Sequence, residues 1–387
     1  MGHFSLVFFW CENTRLRNIV TYTALISGLL LVNESATANN SQVLGLPEGT
    51  RLELLLAGRG VVWGIDSLSE TRLLVSEKQG AISVFETSTK RLIPISGVPE
   101  VSTSGQGGLL DVKVGPSFKK DSRIFFTYSK KIETGVTTAF AVATLDLKSK
   151  KLSEVKDLFV GKTDNGGSIH FGSRIAFDGQ GHVFLGIGDR GERDRAQELD
   201  WHNGKIIRLK LDGTIPKDNP FVSKKGALPE IYSYGHRNPQ GLYYSTRLKK
   251  LFNSEHGPRG GDEVNEVKAG KNYGWPVITY GREYYGPKIG AGVSQIGMEQ
   301  PIKYFVPSIA PSSLIVYESG KIQALKDRFI LGALALQHLN VVTFDGKLEK
   351  RYLEKLEKRI RQVHETPSGT LLLGTDSGEI FRLSPEL

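Results

Sequence analysis

The chain has 387 residues, with 44 Gly, 16 Pro and a single Cys, and a formal net charge of +9. That length holds one large or two ordinary domains, and so much glycine points to many turns rather than long helices. The basic residues fall in scattered pairs, such as Lys119-Lys120, Lys130-Lys131 and Lys249-Lys250, with no basic stripe interleaved with aromatics, so nucleic acid is not an expected partner.

Arg15 and Arg17 precede an apolar run from Ile19 to Val32, and Ala36-Thr37-Ala38 follows it. A basic start, a short apolar stretch and a small-x-small site predict a cleaved signal peptide over residues 1–38. The run is shorter than the roughly 20 apolar residues of a membrane span. The mature chain, 39–387, is therefore expected to be periplasmic or secreted, without a membrane span, and monomeric or homodimeric. Cys11 lies in the leader, which leaves the mature chain without a disulfide, a CxxC metal site or a cysteine nucleophile.

From Arg51 onward one theme recurs: a charged or turn residue, three or four apolar residues, a small residue, then a loop and a second strand. It starts at Thr71, Ser122, His182, Lys250, Arg328 and Thr370, about 40 to 80 residues apart. Six such units predict an all-β, six-bladed β-propeller, one antiparallel sheet per unit. The stretch Arg51 to Ala57 is placed to join the C-terminal sheet and close the ring. The competing architecture is a pair of β-sandwiches divided near Phe221. Helical signals are few, the best being Arg195 to Trp201.

Five clusters call for a chemical reading. Gly186 to Gly191 has the GxGxxG spacing, but no βαβ unit surrounds it, which argues against a dinucleotide site. His170, in GGSIHFGSR, comes 19 residues before Asp189. On a propeller both can face one axial mouth, where a carboxylate fixes an imidazole's tautomer and raises its basicity, as a general base requires. Arg237 and Asn238, held in YGHRNPQ, offer fixed donors to an oxyanion or a carboxylate. Arg359 and Arg361 stand two apart on one face of a strand, either a solvated edge or a clamp for carboxylates. Finally, SEHGPRGGDEVNEVKAGKNYGWP (Ser254 to Pro276) combines Asp262 and Glu263 with glycines that let peptide carbonyls turn inward. Carbonyls and carboxylates together are the oxygen ligands that calcium takes.

At these residues the chain resembles the soluble quinoprotein aldose sugar dehydrogenases, six-bladed propellers related to the soluble glucose and sorbosone dehydrogenases. The resemblance runs from about Leu46 to the C-terminus. It is carried by GQGGLLDV (Gly105 to Val112), GGSIHFGSR (Gly166 to Arg174), YGHRNPQG (Tyr234 to Gly241) and NSEHGPRGGDEVN with KNYGWP (Asn253 to Pro276). It implies a pyrroloquinoline quinone (PQQ) cofactor held with calcium at the axial mouth. The implied reaction oxidises an aldose at its anomeric carbon to a lactone and passes electrons to an external acceptor. By the same resemblance His170 is the base, Asp189 orients it, and Arg237 stabilises charge on the quinone oxygen. Gln106, Asn238, Tyr284, Arg359 and Arg361 would hold the quinone and its carboxylates. The carbonyls of Gly257 and Pro258 would bind the cofactor's calcium, and Asp262, Glu263 and the Tyr273 carbonyl a further one. The family pattern has a quinone-contacting lysine where this chain has Ala335. Two other readings share the frame: a calcium-dependent lactonase, and a non-catalytic sugar- or ligand-binding module. Ala335 favours the second of these; intact His170, Asp189, Arg237 and Asn238 oppose it.

Overall fold

Each repeated unit read from the sequence begins at the second strand of a four-stranded sheet. The computed structural model describes residues 44–164 and 166–386, so the predicted signal peptide lies outside the described residues. The six second strands are Arg72–Glu77, Arg123–Ile132, His182–Ile187, Lys250–Glu255, Arg328–Ala333 and Leu371–Thr375. They are legible because strands flanked on both sides within a blade, with blades packed on both faces, read as unbroken apolar runs. Leu371–Thr375 is buried at every position, and Arg72–Glu77 at all but the first.

The sheets follow one another along the chain as six blades, spanning 62–95, 109–160, 175–234, 239–305, 311–352 and 360–385. The last holds only three strands of its own. Its fourth is Thr50–Leu56, which pairs antiparallel with Ile380–Pro385 in the register Leu52↔Leu383 and Leu54↔Phe381. The ring is thus closed by its N-terminal strand, as the sequence predicts.

The core is divided among the seams. Leu74, Val84 and Phe126 pack between blades one and two, and Phe140, Val183 and Ile207 between two and three. Phe184, Leu242 and Leu251 fill the next seam, Phe252, Leu314 and Phe329 the one after. Tyr317, Leu339 and Leu373 join blades five and six, and Leu55, Ile65 and Leu372 close six against one. Phe221, the proposed sandwich boundary, is buried in the seam between blades two and three. That contact removes the two-sandwich alternative.

The predicted helix at Arg195 to Trp201 is instead a single 3-10 turn, Arg193–Ala196. The carbonyls a continuing helix would use are taken by others. Lys205 Nζ donates to the oxygens of Arg195 and Ala196 at 2.9 and 3.1 Å, and the Gly235 N–H also donates to Ala196 O, at 2.9 Å.

Across the axis lies a residue to which sequence reasoning gave no role. Arg174 enters blade three, and its buried guanidinium donates to carbonyls of Trp63 (3.2 Å), Gln240 (2.9 Å), Ser312 (2.9 Å) and Arg361 (2.8 Å). It also meets Asp111 Oδ1 at 3.2 Å. Those five partners come from the five other blades, so a single side chain ties the whole ring. Burial lowers its pKa to about 10, with Asp111 opposing, and it remains charged at neutral pH.

Candidate active site

At one end of the axis, loops between strands enclose a cavity of about 810 Å3. Its lining includes Gln106, His170, Arg237, His256, Asp262 and Ala335, with the exposed Tyr284 at its rim. His170 sits at φ +54°, a region non-glycine residues enter only at a cost. Its N–H donates to Gln106 Oε1 at 2.8 Å. Gly188 makes room for it, since a Cβ there would lie 2.0 Å from the His170 carbonyl oxygen. Close approach of two backbones, not phosphate binding, therefore accounts for the glycine at 188.

His170 Nδ1 lies 2.6 Å from Asp189 Oδ1. The same carboxylate accepts from the Gly191 N–H at 2.8 Å and, through Oδ2, from Trp275 Nε1 at 2.8 Å. An ionised carboxylate only accepts, so the Nδ1 proton is on His170 and Nε2 keeps its lone pair. Burial pushes the imidazole below its ordinary pKa, and the opposing pull of Asp189 is smaller; His170 is thus a neutral base at neutral pH. Burial works against ionising Asp189, but His170, Arg237 and the Gly191 N–H outweigh it and hold the carboxyl below its usual range. Trp275 is the member of this chain that sequence reasoning missed. KNYGWP stands out as a motif, but nothing in it indicates that an indole 86 positions from Asp189 would hold the far carboxylate oxygen.

Arg237 is buried beside this dyad. Its Nη1 donates to the carbonyls of His256 (3.2 Å) and Gly257 (2.7 Å), and its guanidinium lies 5.3 Å from the Trp275 ring centroid. Glu255 steadies it from behind, accepting the Arg237 N–H at 2.7 Å and His236 Nδ1 at 2.8 Å. His256 is kept neutral, pushed to about 3 by burial and by Arg237. Asn238 Oδ1 accepts from the Gly172 N–H at 3.1 Å. Two buried donors, Arg237 Nε and Asn238 Nδ2, have no protein acceptor. Native interiors rarely leave such donors unmet; Arg237 lines the cavity together with Gln106, and Asn238 is its neighbour in the chain. The donor set fits an anionic, oxygen-rich ligand.

Arg359 and Arg361 do stand together, but off the cavity lining. Both bind Asp376, Arg359 Nε at 2.8 Å and Arg361 Nε at 2.7 Å. Sequence reasoning had no sign of that carboxylate, which lies in the turn between the last two strands. The two arginines and their shared acid keep one net positive charge.

Asp262 and Glu263, adjacent on the strand Asp262–Val267, point to opposite faces. Asp262 accepts from the N–H groups of Gly257 (2.8 Å) and Ala310 (2.7 Å) and from Ser308 Oγ (3.1 Å), bracing the Gly257-Pro258 turn. Glu263 instead lines a void of about 10 Å3 together with Glu255, Gly235 and Tyr273, room for one ion or water. Burial and the Glu255 carboxylate push Glu263 up to about 8. The structure therefore separates the two acids that the sequence joined at one cation. Among the described residues no group of three or more His, Cys, Asp or Glu side chains converges on a metal position; carbonyl oxygens would supply much of any coordination shell.

A second cavity, about 460 Å3, opens beyond Arg174 at the other end of the axis, where Ser67 Oγ and His364 Nε2 are 2.8 Å apart. Its His364 is pushed down to about 4 by burial and bridges blades six and one. Unmet buried donors stand at the first cavity, and the chemistry is assigned there.

A six-bladed propeller with a His–Asp dyad at its axial mouth defines the class. The chain matches the glucose/sorbosone dehydrogenase family model over residues 60–382, and it belongs to that family of sugar-dehydrogenase oxidoreductases. It is 36% identical over 355 residues to aldose sugar dehydrogenase YliI of Escherichia coli (strain K12), covering 89% of this chain and 96% of that protein. The apo crystal structure of the soluble aldose sugar dehydrogenase from Escherichia coli superposes with a TM-score of 0.83 at 37% identity, covering 87% of this chain and 99% of the other. The PQQ-bound aldose sugar dehydrogenase from Streptomyces coelicolor is similar too, with a TM-score of 0.72 at 27% identity over 87% and 99% of the two chains.

Proposed function

We propose that this protein oxidises aldose sugars at the anomeric carbon to lactones, using PQQ and calcium, and hands the electrons to an external acceptor. The observation that carries the reading is the hydrogen-bonded series Trp275–Asp189–His170 ending at the cavity wall with a neutral imidazole. His170 Nε2 takes the proton of the anomeric hydroxyl, and Asp189 fixes the ring and stabilises the imidazolium that forms. Arg237 supplies positive charge where negative charge develops on the acceptor, from a position already fixed by Glu255 and by two carbonyls. The donors of Gln106, Asn238 and Arg237 are read as the quinone's anchors, with Tyr284 at the rim and Arg359 and Arg361 as a nearby field of net charge +1. The carbonyls of Gly257 and Pro258 are read as ligands of the cofactor's calcium, and Glu263 with the Tyr273 carbonyl as ligands of a second ion. Asp262 is read as a brace for the first. When bound, PQQ supplies the hydride acceptor and calcium the Lewis acid that polarises it.

The predicted leader makes this an exported enzyme, periplasmic or secreted. Among the described residues no helix is long and apolar enough to cross a membrane. The test is dye reduction by purified protein given calcium and PQQ, across a panel of aldoses. Sugar-dependent reduction should fall by about 10²–10⁴-fold in His170→Ala. Quinone-independent lactone hydrolysis would move the protein to the lactonase class, and calcium retention without quinone binding would leave a binding module.

A further inference from the structure

The turn that follows Pro258 sets three cations side by side. Arg259 N donates to Arg282 O at 3.1 Å and Arg282 N to Arg259 O at 3.1 Å, so the two residues are directly opposed in an antiparallel bridge. Arg282 is also bridged, antiparallel, to Lys288. Opposed residues of an antiparallel ladder share a face, so the three side chains form a row. Arg259 and Arg282 both line the cavity that holds His170 and Arg237.

Like charges directly opposed destabilise a ladder, and no described residue compensates them. Among the described residues, no hydrogen-bond or ion-pair partner is found for the side chains of Arg259, Arg282 or Lys288. The nearby acids are engaged elsewhere. Glu283 pairs with Arg193 at 2.6 Å, and Asp262 is taken up by two backbone N–H groups and Ser308. Arg359 and Arg361, by contrast, already share Asp376. Isolated surface arginines are ordinarily just solvated. An uncompensated row pinned by two backbone hydrogen bonds, opening into a cavity, is a different arrangement, because its side chains start from a fixed base.

We propose that Arg259 and Arg282, with Lys288 behind them, form a carboxylate-binding element at the cavity mouth. The identity of the carboxylate's bearer rests on the dehydrogenase reading: it is either the quinone or an aldose that itself carries a carboxylate, a uronic acid. Guanidinium pairs suit both, since each presents two parallel N–H donors to a carboxylate.

The full-length protein in calcium buffer, and its Arg259→Gln/Arg282→Gln variant, would be titrated calorimetrically with PQQ and with D-glucuronate. D-glucose serves as the neutral control. Both side chains are exposed, so the fold should survive; Lys288→Gln is a milder second variant. The expected result is about a tenfold loss of affinity for one carboxylate ligand in the double variant, shrinking at high salt, with glucose unaffected. Loss confined to PQQ assigns the row to the cofactor; loss confined to glucuronate, with a matching rise in its KM relative to glucose, assigns it to substrate. Unchanged affinity for both ligands at low ionic strength, or no binding of either by the unaltered protein, overturns the proposal. Sugar oxidation that persists in such a case leaves the dehydrogenase reading standing; carboxylate binding without oxidation sinks that reading alone.

Discussion

His170 illustrates how one residue's chemistry is set by neighbours distant in sequence. Its protonation reflects two opposed effects, burial lowering the pKa and Asp189 raising it, with burial the larger. Asp189→Asn removes the raising partner and leaves burial together with repulsion from Arg237 and Arg190. The acid limb of the pH–rate profile, expected below 6.5 in the unaltered enzyme, should therefore move lower still in the variant. The rate on its plateau should drop by up to about 10⁴-fold as the tautomer is lost. A limb that moves upward would refute the assignment of His170 as the titrating base. The sequence supported pairing His170 with Asp189, because both flank strands of one unit. It could not supply Trp275 or Asp376, since neither is near its partner in sequence and neither residue type suggests the role.

At the scale of elements, the loop bearing His170 and the strand end at Gly186-Ile187-Gly188 depend on each other. Substituting Gly188 by Ala would force a Cβ within 2.0 Å of the His170 carbonyl, and backbone on both sides cannot yield cheaply. The expected outcome is a displaced base: a fall in kcat with the fold retained, checked by activity beside circular dichroism. The strand at Asp262–Val267 shows the same dependence in another form. Alternation across the pleat sends Asp262 to the Gly257 turn and Glu263 to the ion-sized void, a consequence of strand geometry that becomes readable only once the segment is known to be a strand. Read as a glycine-rich loop, the two acids looked like partners. The helix expected at Arg195 to Trp201 failed for a related reason, because Lys205, from the next strand, takes its carbonyls.

The whole molecule is a closed ring, and its stability should depend on features that join all the blades. Arg174→Met removes five contacts to five blades and leaves Asp111 buried without its cation. Loss of one partner of a buried pair costs about 3–5 kcal/mol, so chemical denaturation should show a lower midpoint by a corresponding amount. An unchanged midpoint would mean that the seams alone hold the ring. Calcium should act in the opposite direction. At about 100 times its Kd, an ion bound only by the native state adds about 2.7 kcal/mol. The rise in Tm on adding calcium should shrink in Glu263→Gln if that residue is a ligand, and an equal rise in both proteins would remove it from the coordination shell.

What the sequence determined by itself was periodic or contiguous. Six doubly buried strands read as six apolar runs, their number implied the ring, and the run at Arg51 to Ala57 supplied its closing strand. The motifs that mark the mouth are likewise unbroken stretches of chain. Tertiary structure alone decided how separate stretches meet at the axis. Arg174 became a tie among blades, two arginines became partners of Asp376, two adjacent acids were divided, and Arg259 was set beside Arg282. Each of these depends on which backbone lies opposite which, and in a propeller that is governed by ring closure across more than 300 residues, a distance over which local residue patterns carry no information.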